Sequence, residues 1–136
     1  MEMTITFGEN KKVLAEYKHF TVVTDQPHHA GGDDAAPSPF DLFLTSIGTC
    51  VGYYVLMFCR QRNISAEDIR IIQRTHQDPA THLISKIDID IKLPAEFPDK
   101  YHDAVIKAAA QCTVKRHLQV PPLFEIKTSV HELIES

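Results

Sequence analysis

The chain has 136 residues, 43% of them hydrophobic and 24% charged, and carries a formal net charge of −4 at pH 7. This is enough chain for one domain spanning 1–136, with the composition of an ordinary globular protein rather than of a disordered segment. The acidic balance and the lack of any Lys/Arg cluster exclude the basic field that nucleic-acid binding needs, so no nucleic-acid partner is expected.

The chain opens at Met1-Glu2-Met3-Thr4-Ile5 without the basic segment and apolar run of a secretory signal, which predicts a cytoplasmic protein. Met3, Ile5 and Phe7 alternate with polar residues, Gly8-Glu9-Asn10 reads as a turn, and Val13, Ala15 and Tyr17 resume the alternation. A hairpin is predicted there, with a third strand at Phe20 to Thr24. Asp25 to Pro37, rich in Pro, His, Gly and Asp, reads as a loop.

Next come eighteen residues, Leu42 to Cys59, with no charged side chain. The length is borderline for a membrane span. Thr45, Ser46, Gly48, Thr49, Gly52, Tyr53 and Tyr54 dilute the stretch, however, and point to a helix buried on nearly all sides of a non-membrane protein. So much burial in a short chain calls for covering elements, which a homodimer would supply. Ser38 is a good N-cap, Pro39 suits the first helical position, and Asp41 falls where an acidic side chain complements the cap and the helix dipole. At about 100° per residue, Asp41 and Cys59, each nine positions from Cys50, face away from it, whereas Phe40 lies about 80° round. Asp41 therefore reads mainly as a cap, and Cys59 is no intrahelical partner for Cys50. Gly48 and Gly52 bracket Cys50 at a spacing of four and predict close approach of another helix. Tyr53 and Tyr54 call for hydroxyl partners or a cavity beside Cys50.

Strands are predicted at Ile69 to Thr75 and Leu83 to Leu93, joined by a turn at Asp78-Pro79-Ala80-Thr81. In the second, Ile87, Ile89, Ile91 and Leu93 share one face. A helix begins near Pro98, with Tyr101, Val105, Ala108 and Cys112 on one core-facing stripe. Thr113 to Leu118 reads as a short helical turn, Pro121-Pro122 ends the helical region, and Phe124, Ile126, Thr128 and Val130 alternate as a last strand. Strands, helix, strands, helix, strand is an α+β order.

Three cysteines are too few for a disulfide-stapled scaffold. Cys50 and Cys112 lie on separate elements, and either meet as a redox pair or are inert core residues. Among the eight histidines no two sit at the helical spacing of a zinc pair, and neither a metal nor a cofactor is expected.

The run from Gly31-Gly32-Asp33-Asp34 through Ala36-Pro37-Ser38-Pro39-Phe40-Asp41-Leu42-Phe43-Leu44 to Gly48-Thr49-Cys50, with a second cysteine 62 residues later, resembles the OsmC/Ohr family, in particular its OsmC-like branch. The resemblance covers nearly the whole chain. It implies an intertwined homodimer with the long central helices buried back to back and active sites at the interface. It further implies that Cys50 attacks an organic hydroperoxide and becomes a sulfenic acid, that Cys112 resolves it as a disulfide, and that a lipoyl-bearing protein or small thiol resets the pair. In characterised members an arginine from the amino-terminal region and a glutamate after the proline activate the thiol. This chain has no arginine before Arg60 and carries Phe40 after Pro39. Substitutes are available in Lys18, His28 and His29, or in Lys115, Arg116 and His117 beside Cys112. The alternative is a protein that keeps the fold and binds a small apolar or lipid-like ligand without a redox cycle.

Overall fold

The computed structural model describes residues 1–131, in the order β1 (Thr4–Phe7), β2 (Val13–Tyr17), β3 (Phe20–Thr24), α1 (Pro39–Gln61), β4 (Arg70–Gln77), β5 (Ile84–Lys92), α2 (His102–Ala109) and α3 (Thr113–Gln119). The α+β class expected from periodicity is the one observed. The strands form two separate antiparallel sheets, a meander β1-β2-β3 and a hairpin β4-β5. The turns fall where local chemistry demands them. Asn10 takes φ 52° after β1, and the Asp78 carboxylate accepts the Ala80 and Thr81 N–H groups at 2.7 and 3.2 Å between β4 and β5.

α1 starts as its sequence dictates, with the Ser38 hydroxyl accepting the Asp41 N–H at 3.2 Å and proline in the first turn. Its buried residues, Ile47, Val51, Val55, Phe58 and Cys59, form one stripe at helical spacing. The remaining circumference is more open than the sequence suggests, with Phe40 and Tyr53 over half exposed. Among the described residues, α2, α3 and β4 make the main contacts with α1. By length and composition α1 would suffice to cross a membrane. The buried core joins its stripe to Phe97, Val105, Ala109 and Cys112, with Ile89, Ile91 and Leu93 packed against it. At the carboxyl end of α1, Arg62 lays its guanidinium 3.7 Å from the Phe58 ring centre and donates to the Phe58 carbonyl at 3.1 Å.

Two expectations need correction. The closing strand from Phe124 to Val130 does not form: residues 120–131 carry no regular secondary structure, and Phe124, Ile126 and Val130 are almost fully exposed. Alternation assigns side chains to faces but supplies no neighbouring edge, and a strand without one has no ladder to satisfy its backbone. Gly48 and Gly52 admit strand β4 rather than a helix. A Cβ on Gly48 would stand 2.6 Å from the Gln73 side-chain oxygen, and one on Gly52 would meet Ile71 at 3.8 Å. Gln73 uses the space to donate its amide to the Leu44 carbonyl at 3.0 Å.

The loop after β3 is tied down by a residue that sequence periodicity does not reveal. Asp25 is fully buried; its carboxylate accepts the Gln26 N–H at 2.8 Å and the Ala35 N–H at 3.1 Å and stands 3.7 Å from the Lys12 ammonium. Lys12 also pairs with Asp33 at 2.8 Å, and Asn10 donates to Asp33 at 3.1 Å. This network holds the chain on its way to Ser38.

Candidate functional site

Cys50 lies midway along α1 and Cys112 at the junction of α2 and α3, both free thiols, with Cys50 packed against the core cluster that contains Cys112. The junction owes its shape to the end of α2. Val105 and Ala109 carry the buried stripe up to Cys112, which is fully buried as the 4-3-4 spacing predicts. The backbone then turns out of the helix, with Cys112 at φ −48° and ψ 122° as the N-cap of α3.

A helix start leaves its first N–H groups without intrahelical acceptors, and here a sulfur supplies one: Cys112 Sγ accepts the Lys115 N–H at 3.5 Å. The Cys112 thiol donates toward the Ile47 carbonyl at 4.0 Å.

The two thiols are driven in opposite directions. For Cys50, burial pushes the thiol up, but the Val114 N–H, the Cys112 thiol and the Thr113 N–H together outweigh it and hold it below the ordinary range. Cys112 is raised, chiefly by burial and further by its proximity to Cys50, with the Lys115 N–H opposing. Of the two, Cys50 is therefore the thiol that ionises more readily. Cys59, fully buried in the core, is raised by burial with only partial relief from Arg62.

The remaining sequence candidates divide sharply. Tyr54, one turn beyond Cys50, bonds its hydroxyl to Thr113 Oγ1 at 3.0 Å. Tyr53 is exposed and meets Tyr54 edge to face, ring centres 5.4 Å apart. Phe40 pairs with Phe43 at 5.6 Å near the start of the helix. Asp41 serves the cap and lines a hollow with Ser38, Pro37 and His29, on the side of α1 away from Cys50. His28 and His29 form a short 3₁₀ turn with Ala30 in the stapled loop, His28 against the Gly32 carbonyl at 3.2 Å. Lys18 sits at φ 50° in the β2-β3 turn. Arg116 and His117 are exposed on α3. Of the charged substitutes, Lys115 approaches the thiols, through its backbone N–H. A backbone donor thus stands at Cys112 where charged side chains were expected. The signal available in the sequence was a cysteine directly before a short helical segment, a position that turns the first N–H groups toward sulfur.

An apolar cavity of about 560 Å³, which neither cysteine lines, is bounded by Ile47 and Val51 of α1, Ile89 and Ile91 of β5, Val105 and Ile106 of α2, and Lys115 and Leu118 of α3. Among the described residues no group of three or more His, Cys, Asp or Glu side chains is placed to hold a metal ion.

An α+β chain in which a long central helix and a helix junction bring two thiols together, one deprotonated more readily than the other, defines a paired-thiol protein. Residues 31–127 match the family described as OsmC-like protein, and the chain belongs to it. Solved structures share the fold. A Psychrobacter arcticus protein named for a proposed role in the osmotic stress and detoxification response is 22% identical, covers 84% of this chain and 85% of its own, and gives a TM-score of 0.71. An OsmC-like protein from Mycoplasma pneumoniae is 13% identical over 87% of this chain and 86% of its own, with a TM-score of 0.68. An organic hydroperoxide resistance protein from Legionella pneumophila is 16% identical over 87% of this chain and 88% of its own, with a TM-score of 0.54. At these identities the likeness is one of fold. No curated protein sequence is significantly similar to the chain.

Proposed function

We propose that this protein is a thiol-dependent peroxidase that reduces organic hydroperoxides through Cys50 and Cys112. The observation that carries the reading is the packing of Cys50 against the core cluster that holds Cys112, with Cys50 the more readily ionised of the two thiols. The Cys50 thiolate attacks the distal oxygen of the hydroperoxide. The O–O bond breaks, the departing alkoxide takes a proton from solvent and leaves as an alcohol, and Cys50 becomes a sulfenic acid. The Cys112 sulfur then displaces the sulfenic hydroxyl, which departs as water with the Cys112 proton, and a disulfide forms. A dithiol, either a lipoyl-bearing protein or small thiols, returns two electrons and two protons by exchange. Such a cycle suits a reducing compartment such as the cytoplasm. The fold it shares with a protein named for organic hydroperoxide resistance supports the reading.

The working unit we propose is a homodimer. Phe7 in the meander and Phe124, Ile126 and Val130 near the carboxyl end are at least 80% exposed in one chain, and a second copy is the partner that a self-complementary closed assembly provides. The cavity supports a second reading, in which an apolar or lipid-like ligand is simply bound.

Stopped-flow mixing of the reduced protein with cumene hydroperoxide and with hydrogen peroxide, followed by mass analysis without reductant, separates the two. Peroxidase function predicts rapid loss of both free thiols with the organic peroxide, a Cys50–Cys112 disulfide, and no turnover in Cys50→Ser. Normal turnover by that variant, or thiols inert to both peroxides, would leave the binding reading.

A further inference from the structure

We propose that the apolar cavity between α1, β5, α2 and α3 is a binding site for a medium-chain carboxylic acid, its chain on the buried floor and its carboxylate at the mouth beside Lys115. The proposal rests on the reading of this cavity as a ligand site and is independent of the redox cycle, since neither cysteine lines it. The volume of about 560 Å³ falls in the range of small-molecule sites. Ile47, Val51 and Val105 make the floor, each no more than 4% exposed, and Ile89 and Ile91 wall it with the apolar face of β5. An unbranched hydrocarbon chain asks of a protein only such a surface.

The mouth is built differently. Ile106 and Leu118, which also line the cavity, are 60% and 50% exposed, and His102 and Lys115 are exposed beside them. Asp90, His102 and Lys115 are the titratable side chains of the lining, and the first two have partners: Asp90 meets Lys92 at 2.8 Å, and His102 stands 3.7 Å from Asp99. Among the described residues no carboxylate pairs with Lys115. A lysine stem lies along apolar surface while its ammonium stays in water. An acid whose chain enters the cavity therefore brings its carboxylate to a cation that is still to be paired. An ammonium headgroup would be repelled there, and an alcohol would gain no charge interaction.

The test titrates the fully reduced protein, with no peroxide present, with hexanoate, octanoate, decanoate and 1-decanol by isothermal titration calorimetry below the concentrations at which they form micelles. Affinity is expected to rise about four-fold for each methylene added along the acid series, the value of a buried CH₂. Lys115→Gln removes the charge and is expected to weaken decanoate about three-fold, the scale of an exposed ion pair, while leaving 1-decanol unchanged. Ala110→Phe adds bulk at an exposed position of the lining and is expected to abolish binding of both. Thermal melts identify a variant that fails to fold, and the other then carries the comparison. Decanoate binding that Lys115→Gln leaves unchanged, or a loss that 1-decanol shares, overturns the assignment of an acid. Absence of binding by every probe, unaltered binding by folded Ala110→Phe, or affinity that falls as protein concentration rises, the mark of a second copy filling the cavity, overturns the cavity as a site. Peroxide turnover by the same preparation reports on the thiol pair separately, so failure of either reading is seen without the other.

Discussion

Replacing Cys112 tests whether its sulfur is structural as well as chemical. Cys112→Ala deletes the N-cap of α3, removes a fully buried sulfur, and leaves a small void between α1 and α2. A polar cap replaced by alanine costs roughly 0.5–2 kcal/mol; the long 3.5 Å bond from Lys115 N–H to sulfur places this one near ~0.5 kcal/mol. Losing the burial of a group the size of a methylene costs about 0.8 kcal/mol, and partial collapse of the void adds roughly 0.5 kcal/mol. The total is about 2 kcal/mol, or roughly 8 °C in melting temperature for a chain between the small and medium domain sizes. Cys112→Ser keeps an acceptor for the Lys115 N–H and a donor for the Ile47 carbonyl, so about half of that loss is expected. The assay is urea unfolding in excess reductant at fixed protein concentration, where no disulfide contributes and the midpoint is read at constant m. An alanine variant as stable as wild type, or a serine variant less stable than alanine, would refute the assignment of Cys112 as cap and core residue.

Three further outcomes follow from the geometry. Gly48→Ala should change stability little, because about 1 kcal/mol of helix propensity is offset when the new Cβ displaces the Gln73 amide from Leu44; in a Gln73→Ala background the same change should stabilise by about 1 kcal/mol, and equal effects in both backgrounds on chemical unfolding would contradict the packing. Native-state alkylation should modify Cys50 well before Cys59, whose thiol is raised by burial in the core; prior labelling of Cys59 in peptide maps would disprove this order. Asp25 is held below its ordinary value of 3.8, first by the Gln26 N–H and then, against burial, by the Ala35 N–H and Lys12. Its lowered value means that its stabilisation is full above the unfolded value and is lost as pH falls through the folded one. Lys12, raised above 10.5 chiefly by Asp33, contributes below its unfolded value and loses that contribution as pH rises through the folded one. Hydrogen exchange of the Gln26–Ala35 amides should thus be most protected between these limits, with Asp25→Asn flattening the acid limb; an acid limb unchanged in that variant would point elsewhere.

How much of this was legible depends on whether the information is local. Alternation of Ile87, Ile89 and Ile91 reports which face of β5 is covered, since a period of two is a property of the strand itself. The stripe Val105, Ala109 and Cys112 likewise follows from helical spacing, and Ser38-Pro39 announces the start of α1 because caps are chosen by neighbouring residues. The site is different. The backbone N–H group found on a site sulfur is that of Lys115, on Cys112, and backbone donors carry no residue signature. The charged residues that could replace the family's activating pair, Lys18, His28, His29 and Arg116, are none of them brought to the sulfur by the structure. Gly48 was legible as a close approach but not as an approach by Gln73, and the alternation from Phe124 to Val130 was legible as a pattern without the edge that would make it a strand.

Among the described residues the meander β1-β2-β3 bonds strand to strand only within itself, while α1 is packed by α2, α3 and β4 of its own chain. A three-stranded sheet holds together when something covers its apolar side. In the proposed dimer that cover is another molecule, so the free energy of ordering residues 4–24 has a concentration in it and the free energy of ordering α1 largely does not. Dilution would then act as a selective denaturant, loosening the amino-terminal sheet by mass action while the helix that carries Cys50 stays formed.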